Sequence, residues 1–274
     1  MSAAETRRLF LRLDGLARLG GDDVALVGAL VGGHPRMLEL LDALLRRGAS
    51  VARVRPKLRA LARDEGVDLR DKRDLSAAMG DAVRLGARDI MLDELMAVLD
   101  GDERGVSLQV AVSSLPVPFE DLAVVLADEG ISAGAVEGAA RRLADLSLVV
   151  RAADGWWVHR WTAEALRGHQ PADEYRRRCR RAGDLRVRRI RSARRDVAEG
   201  IEATEDYLAA GCFDEAAGVA VGVAGFLART STLELLSFAK RVRLALPASH
   251  SAYKQIADHE APSAARAGFH RLRG

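Results

Sequence analysis

Apolar side chains at Met37, Leu40, Leu41, Leu44 and Leu45 recur at three- and four-residue intervals, which predicts a helix with one buried face. Pro35 stands at its start, where a proline is tolerated because a first-turn N–H has no intrahelical acceptor. Similar helical patterns fill the chain to about residue 65, separated by Gly20-Gly21, Gly32-Gly33 and Gly48 as stop signals. A charged, turn-rich stretch from Asp64 to Arg73 follows and reads as a linker.

The next region predicts a long helix around Leu75 to Leu99 and another over Val106–Leu115, broken by Pro116-Val117-Pro118. Phe119–Ala127 is a further helix, stopped at Gly130. Ser132 is an N-cap for a third over Ala133–Ala144. At Leu148-Val149-Val150-Arg151 the period changes to two, Asp154-Gly155 forms a hairpin turn, and Trp156 to Arg160 is the expected return strand. Alternation sets Trp156 and Val158 on one face and Trp157 and His159 on the other. Helices closed by a two-stranded hairpin predict a winged helix.

From Pro171 onward the pattern is again helical. Gly211 ends one helix, Phe213 supplies an aromatic wedge, and Asp214-Glu215 gives the next helix an acidic first turn. That is the turn of a helical-repeat unit. The expected fold is therefore mainly α: a helical lid segment at 1–65, a winged-helix domain with a small β-hairpin at 74–168, and TPR-like helical repeats at 171–274.

Composition agrees with helices packed through small aliphatic side chains, since 49% of residues are hydrophobic but only 4% aromatic. The formal charge of +3 is what remains of 42 basic and 39 acidic groups, so bulk charge does not point to nucleic acid. Cys179 and Cys212 stand far apart without metal-ligand neighbours, which argues against a disulfide scaffold or zinc site. The first residues lack a signal peptide's apolar core, and the longest charge-free apolar run, Ala216 to Ala228, falls short of the roughly 20 residues needed to span a bilayer. A cytoplasmic location without membrane attachment is expected.

The segment Leu30-Val-Gly-Gly33-His34-Pro35-Arg36 resembles the Gly-x-Pro region of STAND-class signalling NTPases, the NB-ARC group among them. The order that follows is similar too: a winged helix with an MHD-like Val158-His159-Arg160, then helical repeats. The resemblance implies that Gly33, His34, Pro35 and His159 contact an adenine nucleotide, with Pro35 beside the base and His159 near the β-phosphate. No Gly-Lys-Ser/Thr occurs, so the phosphate-binding loop is missing. The chain then reads as the non-catalytic back half of such an NTPase. It is expected to bind no cofactor on its own, and ADP or ATP only if a P-loop domain completes it.

Each candidate also has a plainer role. His34 after two glycines can simply shape a turn, and His159 can be a packed hairpin residue. The arginines between Arg176 and Arg195 could grip phosphates, but Asp173, Glu174, Asp184 and Asp196 lie among them and only Tyr175 is there to stack on bases, so an interdomain or solvated face is favoured. The alternative of a DNA-binding winged-helix regulator is weakened by the expected recognition helix, which offers alanine, glycine and Glu137 over its first half. Ser107 lacks the second glycine of a nucleophile elbow, and no catalytic residue is assigned. Expected partners are proteins, either a P-loop NTPase chain or a second copy. Apolar faces at Met37–Leu45 and around Leu244 to Phe269 are the expected contact surfaces.

Overall fold

The computed structural model describes residues 3–20, 23–24, 27, 34–49, 51–64, 81–192 and 196–258. The fold is mainly α with one small antiparallel hairpin. Helix α1 (Ala3–Arg12) leads to a 3-10 turn (Leu16–Arg18), then α2 (Pro35–Arg46), α3 (Val51–Asp64), α4 (Asp81–Val98) and α5 (Gly101–Ala111). Helices α6 (Phe119–Ala127) and α7 (Ala133–Asp145) precede strands β1 (Val150–Ala152) and β2 (Gly155–Trp157). Then come α8 (Arg160–Gly168), α9 (Ala172–Ser192), α10 (Val197–Ala210), α11 (Phe213–Thr230) and α12 (Thr232–Ala245).

Local chemistry accounts for most boundaries. Ser132 caps α7 by accepting from the Ala135 N–H at 3.3 Å. At α5, Asp100 accepts from the Glu103 N–H at 2.7 Å while the Glu103 carboxylate accepts from the Asp100 N–H at 3.1 Å, a reciprocal capping box. Gly211 closes α10 at φ 76°, a left-handed position that suits glycine. The β1–β2 register pairs Val150 with Trp157 and Ala152 with Gly155, and an isolated bridge joins Val117 to Trp156.

Two sequence expectations differ from the structure. Helix α2 is buried almost all round, because Leu38, Asp42 and Ala43 are covered along with Met37, Leu40, Leu41 and Leu44. It packs against the 3-10 turn and α4, and the Asp42 carboxylate accepts from the Gly15 N–H at 2.7 Å. Met37–Leu45 is thus core, and offers no apolar contact surface. Second, the return strand ends at Trp157, two residues before the histidine expected on it; Val158 turns inward and His159 starts α8. One apolar cluster runs from Phe10 through Met37, Leu92 and Leu126 to Trp156 and Leu166.

Helices α10 to α12 build a second core around Ala224, Leu227, Phe238 and Ile256. Of the expected C-terminal contact surface, Leu244 is exposed, Leu246 is buried, and residues from 259 onward lie outside the described set. No helix among the described residues is long and apolar enough to cross a membrane.

Candidate functional site

Two segments far apart in sequence meet where α2 and α8 begin. His34 is the N-cap residue of α2 and Pro35 its first helical residue, exposed beside it. His159 holds the corresponding place in α8, where its Nδ1 accepts from the Trp161 N–H at 3.3 Å. That acceptor role leaves its other ring nitrogen, Nε2, to carry the proton of the neutral ring. Trp161 joins the two: the His34 ring stacks on its indole, with centroids 5.2 Å apart and planes 28° from parallel. The Trp157 ring centroid lies 6.3 Å from that of His159, with the planes tilted by 34°.

Cations surround this junction. The Arg88 guanidinium of α4 sits 5.1 Å from the Trp161 ring centroid and donates to the Trp161 carbonyl at 3.1 Å. Arg36 donates from Nε to the Thr162 hydroxyl at 3.1 Å, across 126 residues of chain, and from Nη1 to Glu39 at 2.7 Å. Its Nη2 is buried without a hydrogen-bond partner among the described residues. The structure therefore brings His34, Pro35 and His159 into one neighbourhood; Gly33 lies outside the described residues. Trp161, Arg88 and Thr162 were not foreseen in the sequence, and only the position of Trp161 two residues after His159 could have suggested one of them.

A second polar cluster joins α9 to the hairpin-bearing unit and to α10. Arg186, almost fully buried, donates from Nε to Asp206 at 3.0 Å, from Nη1 to Glu199 at 2.6 Å and from Nη2 to the Ser113 hydroxyl at 2.8 Å. Glu202 accepts from the Ser114 N–H and lies 4.0 Å from Arg186. Arg189 bridges Asp121 of α6 and Glu199 of α10. Arg178 and Arg181 reach Glu129 at 3.1 and 2.7 Å. These four arginines of the basic helix tie it to α6, to α10 and to the residues that follow α5 and α6.

Burial pushes the Asp206 carboxyl up to about 8 despite Arg186, with Glu202 adding to the rise. A carboxyl that holds its proton more tightly folded than unfolded removes stability as pH rises from about 4, its unfolded value, to about 8. The thermal transition is therefore expected to fall between pH 6 and pH 8. Asp206→Asn is expected to flatten most of that slope, and an equal slope in the variant would place the titrating group elsewhere. Burial raises Glu199 as well, but hydrogen bonds from Arg189 and Arg186 outweigh it and its carboxyl stays below the usual range. Its contribution is lost only on acidification below that range.

Cys179 is buried and its thiol is pushed up to about 12 by burial, the reverse of an activated nucleophile. Among the described residues no group of His, Cys, Asp or Glu could hold a metal ion. Comparison with known proteins returns no match: no family, no curated protein and no solved structure is similar to this chain at a significant level.

Proposed function

We propose that the chain is a non-catalytic regulatory and protein-interaction module derived from a STAND signalling NTPase. In this reading residues 81–168 form a winged helix, the junction of α2 and α8 senses the nucleotide held by a P-loop partner, and α9 to α12 are a TPR-like scaffold. The observation that supports it best is the stacking of His34 on Trp161 while His159 holds the Trp161 N–H. His34 of the Gly-x-Pro-like segment and the MHD-like His159 thereby meet on one residue, the first on the Trp161 indole and the second on its backbone N–H. Exposed Pro35 supplies a rigid apolar edge, and the buried Arg36 Nη2 retains a cationic donor suited to an anionic oxygen.

DNA binding is the weaker reading. The arginines of α7 are engaged with acids: Arg141 with Glu137, and Arg142 with Asp100 and Glu103 at 3.1 and 2.7 Å. Phosphate contacts would require them free.

The test is nucleotide chemistry on the purified chain. No ATP turnover above buffer is expected, and tryptophan fluorescence should respond to ADP only when a P-loop partner is supplied. The same partner mixed with His159→Ala should lose that response. Turnover that survives repurification would overturn the assignment, and salt-sensitive retention on duplex DNA would favour the regulator instead.

A further inference from the structure

Helix α10 packs against both α9 and α11, and between those two walls lies an open trough of about 820 Å³. Val187 and Ile190 of α9 line one wall, and Val197 and Gly200 of α10 lie beneath. The α11 wall is unusual in its sequence. Glu215, Gly218, Gly222, Phe226 and Arg229 all line the trough. At about 100° per residue they fall within about 40° of one line along the helix.

Gly218 and Gly222 weaken a helix interior relative to alanine, yet a Cβ at either would meet nothing within 4 Å among the described residues. No packing among the described residues calls for them. Phe226, which follows on the same line, is 36% exposed. The line is also balanced about Gly222: Gly218 and Phe226 stand four residues to either side, and Glu215 and Arg229 stand seven.

We propose that this face is occupied by the same face of a second copy, with two α11 helices crossing antiparallel at Gly222. A two-fold axis there brings Phe226 of each chain over Gly218 of the other, filling the gap that the missing side chain leaves. It also brings Arg229 against Glu215 across the interface at both ends. Arg229 makes no ion pair among the described residues, and Glu215 has only Arg180 at 3.9 Å. The glycines let the two backbones approach, and the charges fix the antiparallel direction. This inference does not depend on the nucleotide reading.

Sedimentation velocity across a wide concentration range tests it. The wild-type chain should show a monomer–dimer equilibrium. Gly222→Leu should be monomeric while melting no lower than wild type, because leucine favours the helix over glycine and a Cβ at this position meets nothing within 4 Å among the described residues. Glu215→Arg and Arg229→Glu should each weaken the dimer about tenfold or more, and their combination in one chain should restore it. A wild-type chain that stays monomeric, even one that takes up a helical peptide, overturns the assignment. So does a Gly222→Leu chain that dimerises normally, or a double charge reversal that fails to rescue.

Discussion

Arg186→Met is expected to lower stability by about 3–5 kcal/mol, because it leaves buried carboxylates without their cation. Arg186 is only 4% exposed at its side chain, and Asp206 and Glu202 are 4% and 9% exposed. Methionine matches the length of the stem and isolates the charge as the cause. Denaturant unfolding should show the loss at pH 8 and a smaller one at pH 6, where Asp206 carries its proton. A loss independent of pH would mean that packing, and not charge, is the main contribution of Arg186. Triple replacement of Arg186, Asp206 and Glu202 by apolar residues should recover part of the stability, since buried ions are held at a desolvation cost.

Gly155→Val is expected to cost about 3 kcal/mol or more. Gly155 has φ 153°, and a Cβ there would stand 2.4 Å from the Val117 carbonyl oxygen and 2.8 Å from the Pro118 nitrogen. Both obstacles are backbone. The hairpin must move away from Val117, which breaks the two 2.8 Å hydrogen bonds between Val117 and Trp156. Lost bonds of about 1 kcal/mol each and backbone strain of about 1–3 kcal/mol give the estimate. Retention of the wild-type unfolding midpoint would show that the turn is built differently.

These two sites differ in how far the sequence announces them. Asp154-Gly155 is a local signal and the hairpin turns over Ala153-Asp154 with Gly155 opening β2, as α7 starts after Ser132 and α10 ends at Gly211. Local chemistry is legible because neighbouring residues act on one another whatever the fold. His159 was harder: alternation from Trp156 continues through it, but its imidazole also suits a helix N-cap, and the amphipathic run of α8 wins. Periodicity reported the strongest face of α2 and missed that its opposite side, with Leu38 and Asp42, is covered as well.

The polar junctions were not legible at all. Arg186 draws partners from Ser113 to Asp206, and Arg36 finds Thr162 across the whole hairpin-bearing unit. Sequence showed that acids were near the arginines, which favoured an interdomain face, but could not say which pairs would close. Nor could it say that Trp161 would lie between two histidine-bearing turns.

Helix α9 has a mechanical consequence. Its 21 residues make a rod of about 31 Å, held near its middle by Arg178 and Arg181 on Glu129 and farther along by Arg189 on Asp121. A tilt of about 10° about one end would carry the other end about 5 Å. That tilt is resisted by ion pairs, which let go one at a time and re-form with water or a neighbouring acid, and by apolar contacts of Cys179, Ala182 and Leu185, which must separate together. A shift of the hairpin-bearing unit would thus be carried along α9 into α10, which packs on it, and on to α11, with α9 acting as the connecting rod.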